Sequence, residues 1–148
     1  MMSCYREHIQ YVCSDLDAMV HFYTTVFGLP LRGRGFEQTP DRSYHWVHIG
    51  TDDTYVAFRS PYDGAAYDAA SVYKQDHFGV VVPDLDVVLA RLEECGAPRI
   101  PKGNHPYRDR VYTRDPDGNE IEIVAYRTAD PRLRNSYDLD PPSPPRTA

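Results

Sequence analysis

The sequence has no excess of positive charge: 16 Lys and Arg stand against 22 Asp and Glu, a formal net charge of −6. A general nucleic-acid binder needs a basic face for phosphates, so that class is disfavoured, and anionic membrane surfaces are disfavoured on the same ground. Long apolar runs are also missing. Stretches such as Phe78 to Val82 fall far short of the roughly 20 residues that span a bilayer. The opening Met-Met-Ser-Cys-Tyr-Arg-Glu-His contains no apolar segment of the kind that directs export. Cysteine is scarce. Cys4, Cys13 and Cys95 cannot all pair, and none has the Cys-x-x-Cys spacing of a zinc or redox motif. The expectation is a cytoplasmic protein whose thiols serve as small apolar residues.

What is present fits a globular chain: 148 residues, 41% apolar and 26% charged, enough for one domain or two small repeated halves. The repeat is visible directly. His8-Ile9-Gln10-Tyr11-Val12-Cys13-Ser14-Asp15-Leu16-Asp17 returns as His77-Phe78-Gly79-Val80-Val81-Val82-Pro83-Asp84-Leu85-Asp86, at an offset of 69. Each His is followed by a strand-like apolar stretch, and Asp15 and Asp84 stand as helix N-caps. After the caps, Leu16, Met19, Val20, Tyr23, Val26 and Phe27 recur at helical spacing, as do Leu85, Val88, Leu89, Leu92 and Cys95. Gly28 and Gly96 are placed to end these helices in the left-handed conformation, with Pro30 and Pro98 just beyond.

Strand material follows in both copies. Tyr44 to Ile49 and Tyr55 to Phe58 flank a turn in the first; Arg110 to Thr113 and Glu120 to Tyr126 flank Asp115-Pro116-Asp117-Gly118, a type I turn pattern, in the second. The unit is βαβββ, with repeat one over about 5–60, a connection over 61–76 and repeat two over about 77–127 of a single domain, 1–127. Residues 128–148 form a proline-rich tail whose last eight residues are expected to be disordered. Two such α+β units can pair their sheets into a half-open barrel with the helices outside. Alternation puts His8, Gln10 and Val12 on one face of their strand and His77, Gly79 and Val81 on one face of theirs. The bulkier sets, Ile9 with Tyr11 and Phe78 with Val80 and Val82, should pack on the helices, leaving both histidines on the concave side.

This repeat resembles the vicinal oxygen chelate superfamily of glyoxalase I, bleomycin- and fosfomycin-resistance proteins and type I extradiol dioxygenases. The likeness rests on the opening His and Asp-Leu-Asp of each copy, on Phe22-Tyr23 and Phe27-Gly28-Leu29, and on Asp115-Pro116-Asp117-Gly118-Asn119-Glu120-Ile121-Glu122. It implies the half-open metal-binding barrel and places metal ligands at His8, His77 and Glu122. A fourth family position falls near Ala57, which cannot ligate. Two His and one carboxylate form a facial triad with open positions, and they leave a divalent ion about one unit positive. Fe(II) is the favoured ion, with Mn, Zn, Ni or Co as alternatives.

The run Gly103-x-His105, Val111-Tyr112, Asp115-Pro116-x-Gly118 and Glu122 matches the signature of extradiol ring-cleaving dioxygenases. The resemblance gives His105 and Tyr112 the role of hydrogen-bonding the bound substrate and oxygen. The bland alternative is an exposed loop histidine and an ordinary strand aromatic. Thr54 stands where that family places an acid–base His; His45 and His48 are candidates to replace it.

Three functions follow from the resemblance. The first is dioxygenation of a catechol-like small molecule, and the second is non-redox Lewis-acid chemistry as in lyases, isomerases and thiol transferases. The third is metal-free sequestration of a ligand, as in the bleomycin-binding members. The family also implies a homodimer.

Overall fold

The structure is a computed structural model, and it describes residues 6–72, 77–101, 103 and 105–134. Cys4 and the tail end over 141–148 lie outside the described residues. The chain divides into two compact units, Met1–Lys74 and Gln75–Ala148, and each carries one copy of the repeat.

The first unit runs β1 (His8–Val12), α1 (Leu16–Phe27), β2 (Leu31–Gln38), β3 (Ser43–Gly50) and β4 (Tyr55–Arg59). The second runs β5 (Phe78–Val81), α2 (Leu85–Glu94), β6 (Ile100–Pro101), β7 (Arg108–Arg114) and β8 (Glu120–Tyr126), followed by a one-turn helix α3 (Pro131–Arg134). Both sheets have the same order, first strand, last strand, then the two middle strands: β1-β4-β3-β2 and β5-β8-β7-β6. In each, the first and last strands are parallel and the rest antiparallel. The βαβββ repeat expected from the sequence is therefore present twice.

The helices begin and end for local reasons. Asp15 Oδ1 accepts from the Asp17 and Ala18 amides at 2.9 and 3.0 Å, and Asp84 Oδ1 does the same for Asp86 and Val87 at 3.0 and 3.3 Å. These contacts satisfy amides that the first helical turn leaves without partners. Gly28 and Gly96 close the helices at φ of 66° and 65°, a conformation that disfavours any side chain.

Each helix covers one face of its sheet. Met19, Tyr23 and Val26 of α1 are fully buried, as are Val47, Ile49 and Phe58 of β3 and β4, with Tyr23 and Phe58 rings 5.2 Å apart. In the second unit Leu92 of α2 and Ile121 and Ile123 of β8 are fully buried. Each such side chain contributes about 1.5–3 kcal/mol on burial.

Three features were not delimited by the pattern. Strand β2 is long and well paired although it contains Gly33, Gly35 and three charged residues. A 3-10 turn at Tyr62–Gly64 and the short α3 occupy segments read as connection and tail. Arg108 Nη1 donates to the Arg134 carbonyl at 3.1 Å and ties α3 to β7. No helix among the described residues is long and apolar enough to cross a membrane.

The Asp115-Pro116-Asp117-Gly118 segment is a hydrogen-bonded turn, with the Gly118 amide donating to the Asp115 carbonyl at 2.8 Å. Buried Asp115 organises it: Oδ1 accepts from the Asp117 and Asn119 amides, and Oδ2 accepts from the Asn119 side chain at 2.8 Å. The shared motif thus delivers β8 in register. Asp115→Ala removes all three bonds and should lower the unfolding free energy by roughly 2–3 kcal/mol, measured by urea denaturation. Thr113 is fully buried on the helix-covered side of β7, and its hydroxyl has no hydrogen-bond partner among the described residues. Thr113→Val keeps the shape and drops the hydroxyl, so it should stabilise the fold by about 1 kcal/mol in the same measurement.

Candidate metal centre

Strand alternation separates the two faces as the residue pattern requires. On β1, His8 and Gln10 are exposed and Tyr11 is buried; after His77, Gly79 and Val81 are exposed and Val82 is buried. Register then places the last strand beside the first. Gln10 pairs with Ala57, and Gly79 pairs with Glu122. Gln10 and Gly79 are equivalent in the repeat, so Ala57 occupies in the first copy the place that Glu122 occupies in the second.

In the second unit this brings His77 and Glu122 together. Nε2 of His77 lies 3.6 Å from Oε2 of Glu122. Two donors on one ion, each about 2.1 Å from it at 90–109°, stand about 3.0–3.4 Å apart. The pair therefore fits a shared divalent ion within a few tenths of an ångström. Tyr112, whose register partner is Glu122, meets the His77 ring edge-on with centroids 5.3 Å apart. Arg110, two residues earlier on β7, places Nη1 3.8 Å from the other carboxylate oxygen, Oε1. Glu122 stays on this face because its neighbours Ile121 and Ile123 are both fully buried under α2.

In the first unit His8 is held by two contacts. Its Nδ1 lies 3.2 Å from Glu7 Oε2. A carboxylate only accepts, so the bond requires a proton on Nδ1 and leaves the lone pair on Nε2. The ring stacks on Tyr55 with centroids 4.8 Å apart and planes 14° apart. Tyr55 also meets His48 at 4.5 Å and carries the Arg32 guanidinium over its ring at 4.3 Å. The row continues from His48 to Trp46 at 4.6 Å. Gly35 makes room for it: a Cβ there would come within 2.8 Å of the indole. The Arg32-Gly33-Arg34-Gly35 run is thus a bed for Trp46.

Of the two substitute histidines, His48 shares the face of His8. His45 points to the opposite face, paired with Phe36, whose ring is 4.7 Å away. Thr54 lies exposed in the β3–β4 turn. Burial, first, then the charge that His8 carries when protonated and that of Arg32 hold the His48 imidazole below its ordinary value, with Glu7 opposing.

His105 is not an exposed loop residue; it is only 3% exposed. Its Nδ1 accepts from the Tyr107 amide at 3.1 Å, so the neutral ring carries its proton on Nε2 as a donor. Its ring neighbour is Tyr107, at 6.0 Å.

The predicted set is thus distributed in three parts: His77, Glu122 and Tyr112 together, His105 in its own bridge beside Arg108, and His8 in the other unit. No group of three or more His, Cys, Asp or Glu that could hold a metal ion is assembled among the described residues. Sequence reasoning missed Glu7, Tyr55 and Arg110. Period-two spacing from Glu122's partner Tyr112 was the available signal for Arg110, and adjacency to His8 the signal for Glu7.

A family model described as the Glyoxalase/Bleomycin resistance protein/Dioxygenase superfamily matches residues 6–123. The chain is 44% identical over 116 residues to a catechol-2,3-dioxygenase of Bacillus subtilis (strain 168), covering 76% of this chain and 38% of that protein. It is 24% identical over 125 residues to the lactoylglutathione lyase GLX1 of Arabidopsis thaliana, covering 79% and 42%. It therefore spans about two fifths of the length of these curated relatives. The crystal structure of a glyoxalase family protein from Bacillus cereus matches the fold with a TM-score of 0.71 at 15% identity, over 85% of this chain and 96% of that one.

The electrostatics of His48 can be read directly. Its imidazole should titrate below 6.5 in an NMR pH series, and Arg32→Gln should move the midpoint upward. The folded state favours the neutral ring. Relative to its level above pH 6.5, stability falls as acid takes the pH from that value down through the folded midpoint. His48→Gln should lack this component.

Proposed function

Because the chain belongs to the glyoxalase/bleomycin resistance protein/dioxygenase superfamily, we propose that it is a metal-dependent enzyme that opens the ring of a catechol-like substrate in the extradiol manner. The observation that carries the metal reading is the His77 Nε2–Glu122 Oε2 separation of 3.6 Å, which fits two ligands of one ion. The 44% identity to a catechol-2,3-dioxygenase supports ring cleavage as the chemistry. His8, His77 and Glu122 would hold the ion, Fe(II) in this reading; bound there, it would supply Lewis acidity toward two vicinal oxygens and one-electron chemistry toward O₂.

The protein's own groups do the rest. The Glu7 contact keeps the Nδ1 proton of His8 and presents Nε2 as its ligand atom. His48, held neutral near pH 7, is the base that takes a proton from a substrate hydroxyl; it replaces the acid–base histidine absent at Thr54. The Nε2–H of His105 and the hydroxyl of Tyr112 donate to substrate oxygens. A homodimer acting on a small molecule completes the reading. A second reading, a non-redox Lewis-acid lyase or isomerase, draws on the 24% identity to a lactoylglutathione lyase. It uses the same ligands and needs no O₂.

Oxygen uptake by anaerobically prepared, Fe(II)-loaded protein on a panel of catechols separates the two. Ring cleavage requires uptake; turnover of a hemithioacetal without oxygen identifies the lyase. His77→Ala and Glu122→Ala should each lose metal binding and at least 100-fold in kcat/KM. His48→Phe should retain the metal and lose about 10²–10³-fold in kcat, with the acid limb of the pH profile altered. His45→Phe should match the parent protein. If His45→Phe and His48→Phe behave alike, His48 is not the base.

A further inference from the structure

Among the described residues Glu122 has two ion-pairing partners, one for each oxygen. Oε2 faces His77 at 3.6 Å and Oε1 faces Arg110 at 3.8 Å. The carboxylate side chain is 18% exposed and the Arg110 side chain 10%, so little water screens them. A carboxylate so enclosed needs a positive partner. Histidine supplies one only when protonated, whereas a guanidinium is charged at every accessible pH. Strand geometry makes the placement systematic: Tyr112 is the register partner of Glu122 and Arg110 that of Val124, so Arg110 lies on the same face of β7, two residues along. The helix-covered side of this strand holds Val111 and Thr113 instead.

We propose that Arg110 is the resident counter-charge of Glu122, a positioning residue that occupies Oε1 and sets how tightly the site takes a divalent cation. This inference rests on the metal reading above and extends it to a residue with no ligand role. In the metal-free protein, Arg110 keeps the enclosed carboxylate compensated, so the unit folds without an ion. With Arg110 against Oε1, the carboxylate would have Oε2 to offer a divalent ion beside His77, and the guanidinium would repel the incoming charge. Metal affinity is held down by the residue that makes the metal-free protein stable.

The sign of that trade separates it from a merely structural role. Full-length protein stripped with a chelator is titrated with Mn²⁺ and with Co²⁺, reading metal affinity by calorimetry and thermal midpoint with and without the ion. Arg110→Met should melt lower than the parent without metal, bind either ion about tenfold more tightly, and show a larger metal-induced rise in midpoint. Arg110→Lys, which keeps the charge, should stay close to the parent in all three. Arg110→Gln, which drops the charge but keeps a donor, should follow Met in direction and serves if the Met variant does not fold. Equal or weaker metal binding by the uncharged variants overturns the inference while leaving the metal reading intact. Absence of any metal response in the parent protein, by contrast, removes the metal reading and this inference with it.

Discussion

The parallel pairing of first and last strands is the constraint on which the candidate site depends. Residues paired across neighbouring strands point to the same side, so the match of Gly79 with Glu122 puts the carboxylate on the face where His77 also lies. Packing holds that match. Ile121 and Ile123 fill the layer under α2 with no exposure at all. A slip of one residue would drive Glu122 into that layer and bring both isoleucines out, burying a charge without a cation. The position of the polar group is thus paid for by its apolar neighbours.

The helices, their caps and the βαβββ order were legible because each has a local signal: an Asp before the helical pattern, a Gly after it, and alternation in the strands. Strand β2 was not legible, since glycines and arginines carry no strand pattern. Its reason for existing lies in β3, whose Trp46 needs the flat ground at Gly33 and Gly35. Alternation could separate His48 from His45 only once β3 was known to place Val47 and Ile49 inward. The burial of His105 had no sequence signal, because it comes from a bridge to Arg108 and a bond from the Tyr107 amide. Of the proposed ligands, the Glu122 position and its neighbour His77 follow from repeat and register, while the contacts that orient them are matters of side-chain packing.

The two copies differ in a chemically coherent way. On its helix-free face the first carries His8, His48, Trp46, Tyr55 and Arg32, and Ala57 where a carboxylate could have stood. The second carries Glu122 and Glu120 on β8 with Arg110 and Arg114 opposite. The first face carries the longer row of stacked rings, and the second combines the His77–Tyr112 ring pair with carboxylates that have their own arginines.

That division has an electrostatic consequence. A carboxylate at position 57, on the same face as His48, would favour its protonated form and make it a poor proton acceptor near neutral pH. With alanine there, burial first, then the charge that His8 carries when protonated and that of Arg32, hold the His48 imidazole below its ordinary value. Glu7 opposes them, but it is an exposed residue spent on the Nδ1 of His8. Alanine at position 57 therefore does two things at once: it offers no ligand atom in the first copy, and it leaves the register partner of His48 without a charge. The same reasoning accounts for where the arginines sit: Arg32 over a tyrosine ring, where it can repel a proton from His48, and Arg110 against a carboxylate oxygen, where it offsets an enclosed negative charge.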